Sequence, residues 1–217
     1  MSDAGKRKRR YGRKATTTAI LDAAQELFAA RGFSAVTVRD IAEHANVSHA
    51  LVHQYVGSKE DIFRAVLASN DHVIASAALG SPDLAGSVSL MMRQGLSEEG
   101  RMHALLVARS ALSGERYDRT DGRFESTERL VGLAEEAAAS APADERAKKD
   151  LDPRLVVACV VSLFIGWAAA EPWVRSAVGL QDVDEAELID GLDRVMRGIL
   201  SENVPGVATE DAVKDEA

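Results

Sequence analysis

The sequence predicts an all-α fold, with an N-terminal three-helix domain that contains a helix-turn-helix and a larger C-terminal helical domain. Three observations support this prediction. Hydrophobic residues make up 46% of the 217 residues and only 5 are proline, which is typical of a helical chain with an ample core. Apolar residues recur at spacings of three and four along most of the chain. Ser, Thr and Asp residues stand at the positions where helix caps are expected.

The helix-turn-helix is predicted in the segment TVRDIAEHANVSHALVHQYVGSK, which begins at Thr37. Thr37 followed by Asp40 has the spacing of a capping box and marks a helix start. Asn46 interrupts the apolar periodicity and tolerates the left-handed backbone of a tight turn. Ser48 is expected to cap the second helix and Ser58 the next one. In such a motif the second helix is the one that enters a DNA major groove.

This segment resembles the DNA-binding signature of the TetR family of transcriptional regulators. The resemblance covers about the first 65 residues. The matching positions are Phe28, Gly32, Phe33, Thr37, Arg39, Ile41, Ala42, Ala45, Val47, Ser48, Tyr55, Ser58, Lys59 and Glu60. The chain departs from the family pattern at Asn46, Ala50, His53 and Val56. The resemblance implies double-stranded DNA as a partner, a homodimer, a small-molecule effector, and repression more often than activation.

Chemistry and the resemblance together identify candidate DNA contacts. They are Arg9, Arg10, Arg13, Thr37, Arg39, Ser48, His49, Ala50, His53, Gln54, Tyr55 and Lys59. Lys59 is predicted to be a phosphate clamp and Gln54 a reader of adenine. Tyr55 is expected to contact phosphate or to belong to the core. His49 and His53 also have a metal-ligand spacing, but with no third ligand in the sequence we expect no metal.

Charge is distributed unevenly along the chain, whose net charge is -8. Residues 1–64 carry 11 Lys or Arg against 7 Asp or Glu, while the remainder carries 15 against 27. A basic end on an acidic body suits a protein that presents one end to a polyanion. Residues 1–14, which include the run KRKRRYGRK, are predicted to be a disordered basic arm that contacts phosphates or a minor groove.

Breaks in the pattern predict the domain limits. We expect the DNA-binding domain at residues 15–62, an effector-binding and dimerisation domain at 63–204, and an acidic disordered tail at 205–217. Helices are predicted at about 16–31, 59–77, 83–96, 98–112, 124–139, 153–178 and 183–202. The polar stretch 141–152 is expected to be a solvent-exposed loop.

The predicted helix at 153–178 contains LVVACVVSLFIGWAAA, which is apolar on every face and therefore has to be buried on every face. This run of 16 residues is shorter than a membrane span, so a second copy of the chain is the expected cover. A central core helix in a monomer is the alternative. The predicted interface residues are Val157, Val161, Ile165, Leu188, Leu192, Val195 and Ile199.

The effector site is the least defined part of the sequence. Candidate lining residues, which are also compatible with ordinary core, are Met92, Leu96, His103, Phe124, Phe164 and Trp167. The ligand is expected to be small and apolar or amphipathic.

Other function classes find less support in the sequence. It lacks the glycine-rich phosphate loop, nucleophile elbow and nucleotide fingerprint of common enzymes, so we expect neither an enzyme nor a cofactor. The absence of an apolar N-terminal leader and the single cysteine favour a cytoplasmic protein without a membrane partner. Two alternatives are an architectural DNA-binding protein without an effector and a redox sensor that uses Cys159. Its valine-rich surroundings predict that Cys159 is buried and inert.

Overall fold

A computed structural model describes the backbone of residues 3–112 and 124–208, and the side chains from residue 12 onward within those ranges. All regular secondary structure in this part of the chain is α-helical, as predicted. The helices are α1 (Asp3–Arg31), α2 (Val38–His44), α3 (His49–Tyr55), α4 (Lys59–Ala78), α5 (Leu84–Gly95), α6 (Glu98–Leu112), α7 (Glu125–Ser140), α8 (Ala143–Lys148), α9 (Pro153–Val178) and α10 (Glu185–Asn203).

The helices divide into two compact units, and the division differs from the predicted boundary after residue 62. The first unit runs to Asn70 and also takes the second half of α6, from Leu105. The second unit takes Asp71–Ala104 and the described chain from Phe124 onward. The boundaries therefore fall inside α4 and α6. Helical periodicity does not reveal such boundaries, because the apolar pattern continues through them.

In the first unit α1, α2 and α3 pack on one another around a small apolar core. Ile20, Phe28, Ile41, Val52 and Ile62 are fully buried at its centre. The rings of Phe28, Phe33 and Phe63 form an aromatic cluster with centroid distances of 5.0–5.6 Å. Two helices of seven residues could not be stable alone, so α2 and α3 depend on these contacts with α1 and α4.

In the second unit α7 packs on α9 and α5, and α10 packs on α5 and α9. The core that they enclose contains Leu84, Met92, Leu130, Val157 and Leu200, among others. Glu171 is buried in this unit, with one carboxylate oxygen paired with Arg101 and the other 3.0 Å from Nη1 of Arg175. Paired on both oxygens, this carboxylate joins α6 to α9.

The start of α7 is capped from another helix. Its own N-cap residue, Phe124, makes no side-chain cap hydrogen bond. Instead the buried carboxylate of Asp71 on α4 accepts hydrogen bonds from the Ser126 backbone N–H at 3.1 Å and from the Ser126 hydroxyl. Burial raises the pKa of Asp71, and the hydrogen bonds from Ser126 oppose that rise. Sequence reasoning missed this contact because it joins residues 55 positions apart.

Three predicted segments differ in the structure. The basic stretch is not separate from the first helix, because α1 extends back to Asp3; Lys and Arg are good helix formers and the packed part of α1 supplies the helix nucleus. The stretch expected to be a loop contains the short helix α8. The predicted tail is ordered as far as residue 208, with Pro205 buried and Val207 packed on the core; residues 209–217 lie outside the described part.

Candidate nucleic-acid interface

The turn that orients α3 has the geometry predicted for it. The Thr37 hydroxyl accepts from the Asp40 N–H at 3.1 Å, and the Asp40 carboxylate accepts from the Thr37 N–H at 2.8 Å, which completes the capping box of α2. Asn46 has a φ of 52°, the left-handed value that the turn requires. The Ser48 hydroxyl caps α3 by accepting from the Leu51 N–H at 3.3 Å. Local side-chain chemistry therefore fixes where α2 ends and where α3 begins.

The outward face of α3 carries the predicted base readers. His49, Ala50, His53 and Gln54 are all exposed, whereas Val52 on the opposite face is completely buried. The rings of His49 and His53 meet edge to face with their centroids 4.6 Å apart. This face offers imidazole and amide groups for hydrogen bonds to base edges and a methyl group for a thymine methyl. The structure places these four residues together as the sequence predicted, while their contacts with bases stay predictions.

Two predicted contacts on α2 already have intramolecular partners. The Thr37 hydroxyl also donates to Asp40 Oδ2 at 2.6 Å, which holds the pKa of the Asp40 carboxyl below its usual value. The Arg39 guanidinium is exposed and lies 3.2 Å from the Glu43 carboxylate. An exposed ion pair of this kind contributes little free energy, so Arg39 can exchange Glu43 for a phosphate or a base at small cost.

Lys59, which the sequence predicts to be a phosphate clamp, has intramolecular partners in the structure. Its ammonium donates to the backbone carbonyls of Phe33 at 2.9 Å and Val36 at 3.0 Å. It also lies 4.2 Å from the centroid of the Phe33 ring, in a cation–π contact. The side chain thus holds the loop between α1 and α2 from the start of α4. The phosphate contact of Lys59 stays a prediction. Its carbonyl partners could not be foreseen from the sequence, because they became neighbours only through the packing of α1, α2 and α4.

Tyr55, the last residue of α3, is half-buried and its ring faces α1. The guanidinium carbon of Arg13 lies 5.3 Å from the centroid of this ring. Tyr55 thereby links the end of α3 to the basic part of α1. The side chains of Arg9 and Arg10 lie outside the described residues, although their backbone belongs to α1.

The predicted effector residues lie in the second unit. Met92 and Leu96 are buried in its core, Phe164 and Trp167 pack against that core, and Phe124 is half-buried. Met92 and Leu96 belong to α5 and its C-cap, Phe164 and Trp167 to α9, and Phe124 to the N-cap of α7. Their role in ligand binding stays a prediction.

His103, the polar member of the predicted effector set, is buried, and its Nδ1 atom has no hydrogen-bond partner among the described residues. Burial lowers the pKa of His103 to about 4, so the imidazole is neutral at physiological pH.

The predicted interface residues fall into three groups by exposure. Val157 is 1% exposed and belongs to the chain's own core, so it cannot contact a partner and that prediction is wrong. It lies on the inward face of α9 with Val156 and Val160. Val195 is exposed; the half-buried remainder are Val161, Ile165, Leu188, Leu192 and Ile199.

Helix α9 shows its outer face to solvent in the single chain. Leu155 and Trp173 are 54% and 74% exposed, and smaller residues between them, Ala158, Ser162 and Gly166, are exposed as well. Sequence reasoning missed Leu155 and Trp173 because a helix that is apolar on every side gives no sign of which face is outward. By length and composition α9 could also cross a membrane, although the sequence predicted too short a run.

Cys159 lies on the same outer face of α9 and is exposed. The expectation of a buried thiol among valines is therefore wrong. Neighbours in sequence do not decide burial on a helix, because residues one position apart point about 100° away from each other.

Comparison with known proteins connects this geometry to a family. Residues 20–66 match the family model for bacterial regulatory proteins of the tetR family. The chain is 33% identical over 183 residues to the HTH-type transcriptional repressor Rv3405c of Mycobacterium tuberculosis, a match that covers 84% of this chain and 88% of the relative.

Solved structures agree with the fold. A TetR family transcription regulator from Marinobacter aquaeolei VT8 matches with a TM-score of 0.68 and 19% identity, over 88% of this chain and 97% of its own. The putative transcriptional regulator SCO4942 from Streptomyces coelicolor matches with a TM-score of 0.64 and 22% identity, over 85% and 97%. The motif, the residues that match the family model and the long match to a relative lead to one conclusion: the chain belongs to the tetR family of DNA-binding, helix-turn-helix transcriptional regulators.

Proposed function

We propose that this protein is a transcriptional repressor that binds a palindromic operator as a homodimer and releases it when a small apolar or amphipathic ligand binds the second unit. The observation that carries the proposal is the outward face of α3, where His49, Ala50, His53 and Gln54 stand exposed on a capped and packed helix. A relative that is similar over most of its length is named as a repressor, which supports the sign of regulation.

The open face of α9 supports the dimer. An exposed apolar stripe of this length is costly in water, at about 25 cal/mol per Å² of apolar surface. Gly166 on α9 and Gly198 on α10 have open space where a side chain would stand, which allows a helix of a second copy to approach closely. A C2 dimer pairs this face with itself and duplicates α3, which matches the two half-sites of a palindrome.

The second unit supports the ligand class. Met92, Leu96, Phe164 and Trp167 offer an apolar environment, and a neutral His103 offers a polar atom without favouring an anion. A ligand that binds more tightly to one arrangement of the dimer than to the DNA-bound one would shift the population away from DNA. The proposal therefore needs no covalent chemistry and no cofactor.

Selection of genomic fragments by the purified protein at near-physiological salt tests the proposal. We expect enrichment of a few sites that share an inverted repeat, with half-sites about 34 Å apart. The functions of the genes beside those sites then suggest candidate ligands, and the true ligand should lower the affinity for the operator when it is added. Uniform capture without a motif would instead indicate an architectural DNA-binding protein, whose affinity comes from phosphate contacts alone.

The base-reading face can be tested at Gln54. We expect Gln54→Ala to relax the preference for adenine at one position of each half-site, at a cost of about 1–3 kcal/mol for the preferred site. The measurement is a repeat of the selection with the variant, followed by binding to single-base operator variants. Glu98→Gln, an exposed change on α6 away from the helix-turn-helix, is the control. An unchanged preferred site would show that Gln54 does not read a base.

A redox sensor is the second candidate, favoured by the exposure of Cys159. In that case mild oxidation should weaken operator binding by the wild-type protein and leave Cys159→Ser unaffected. Equal responses of the two proteins would exclude Cys159 as a sensor.

A further inference from the structure

We propose that the basic N-terminal part of α1 is a helical rod that lies along the DNA phosphates beside the operator half-site. This inference rests on the proposed operator binding. Helix α1 has 29 residues and starts at Asp3, so the run Lys6–Lys14, with seven Lys or Arg in nine residues, lies within it. The backbone of the basic run is therefore a continuation of the packed part of α1.

The contact between Arg13 and Tyr55 connects this extension to the reading helix. The Arg13 guanidinium lies over the Tyr55 ring, 5.3 Å from its centroid, and Tyr55 ends α3. A cation–π pair at an exposed site contributes about 0.5–1 kcal/mol, enough to bias the direction of a helix end. We assign Tyr55 as a positioning residue for the rod. This role explains why the Tyr55 ring is half-buried, whereas Gln54 is exposed and Val52 is completely buried.

The dimensions of a helix decide which part of DNA the rod meets. An α-helix with its side chains is about 10–12 Å wide, whereas the minor groove of B-DNA is about 6 Å wide. A helix therefore cannot enter that groove as an extended arm does, and α3 is the helix assigned to the major groove. The phosphate backbone remains as the partner. At about 1.5 Å per residue the run from Lys6 to Arg13 spans about 10 Å, which matches about three phosphates along one strand.

The charge pattern supplies the reason for such a contact. Like charges four residues apart destabilise a helix, and the run contains several such pairs, for example Lys6 with Arg10 and Arg9 with Arg13. Phosphates neutralise these charges and remove the repulsion. Helix formation in the run and DNA binding should therefore favour each other. Low salt strengthens DNA binding, but in the free protein it weakens the helix of the run, because the repulsion between the cations is then less screened.

A matched pair of variants separates a rod from a flexible arm. Arg10→Ala and Arg10→Pro remove the same charge, but only proline interrupts the helix and detaches the four preceding cations, Lys6, Arg7, Lys8 and Arg9. The measurement is the slope of log affinity against log salt for the selected operator. We expect Arg10→Ala to reduce the slope by about 0.9 and Arg10→Pro to reduce it by several times as much. Equal slopes for the two variants would overturn the rod.

Two further measurements keep the inference testable should a variant fold poorly, which far-UV circular dichroism would show. With the wild-type protein, trimming the operator duplex by three base pairs at each end should lower the salt slope by about two or more. Tyr55→Phe should retain the full slope, while Tyr55→Leu should lose part of it on the long duplex only. A salt slope that does not change with the length of the duplex would overturn the proposal. Loss of all preference for the operator would instead count against the proposed function itself.

Discussion

The two units of this chain differ in the kind of side chain that they leave exposed. In the helix-turn-helix the first unit buries or half-buries its large apolar side chains, although Leu112 at the end of α6 is 88% exposed. The outward face of α3 is left to His49, Ala50, His53 and Gln54. The second unit encloses a larger core but leaves Leu155, Trp173 and Val195 in contact with water. Polar groups at one surface and apolar groups at the other fit the two partners proposed above, nucleic acid for the first unit and a second copy of the chain for the second.

The units also differ in what holds their helices in place. In the first unit local caps on α2 and α3 act together with long-range contacts of two cations, Lys59 and Arg13. In the second unit two carboxylates connect helices that are far apart in sequence. Asp71 caps the start of α7, and Glu171 joins α6 to α9. Local devices can be read from sequence, whereas the long-range ones depend on packing.

The largest expected effect comes from a charged substitution on the apolar outer face of α9, the proposed dimer interface. Trp173→Glu places a charge in the proposed interface and should convert the dimer to a monomer, which loses the joint binding of two half-sites and about 100-fold or more in operator affinity. Sedimentation equilibrium and binding to the full palindrome measure the two effects.

Leu79→Glu is the matched control for this change, because Leu79 is 70% exposed and lies outside α9 and α10. Cys159 reports on the same surface, since thiol labelling should be slow in the dimer and faster in Trp173→Glu. A monomeric wild-type protein, or one that binds lipid vesicles through α9, would contradict the dimer.

The next effect concerns the buried His103. Its folded pKa of about 4 lies below the unfolded value of about 6.5, so the unfolded state binds the proton first as the pH falls. The stability contributed by the neutral His103 is therefore complete above about pH 6.5 and is lost as the pH falls toward 4, by about 3 kcal/mol at most.

Thermal unfolding between pH 7.5 and pH 4 measures this loss. His103→Leu should flatten the pH dependence, whereas His53→Gln, at an exposed position, should leave it unchanged. Identical pH profiles for wild type and His103→Leu would show that another group dominates.

A smaller effect distinguishes the two roles considered for Lys59. Lys59→Met retains the length of the side chain but leaves the carbonyls of Phe33 and Val36 without their donor, so the free energy of unfolding should fall by about 1–2 kcal/mol. Denaturant titration measures this change, and Lys59→Arg tests whether any cation suffices. Unchanged stability with a salt slope reduced by about 0.9 would restore the phosphate clamp.

The smallest expected effects are those of the caps in the helix-turn-helix. Thr37→Ala removes a reciprocal capping box and Ser48→Ala a single hydrogen bond of 3.3 Å, so we expect losses of about 1 kcal/mol, larger for Thr37. Thermal unfolding of both variants beside Ser34→Ala, an exposed loop serine, provides the comparison. An equal loss in all three would show that the caps do not set the stability of this unit.

The accuracy of the sequence predictions follows the same division. The start of α2, the left-handed Asn46 and the start of α3 were predicted correctly, because each depends on a side chain and a backbone group three or fewer positions away. The exposed face of α3 followed from periodicity. The errors at Val157 and Cys159 and the unforeseen partners of Lys59 share one cause, since each depends on how helices distant in sequence pack.

By itself the sequence determined the helical class, the helix-turn-helix and the candidate reading residues, because capping and periodicity are short-range properties of the chain. Only the tertiary structure decided that Lys59 points inward, that Asp71 caps α7, that Tyr55 meets Arg13 and that the outer face of α9 is open. Those outcomes depend on contacts between helices far apart in sequence. A residue's type limits the partners it can take, and packing selects one of them.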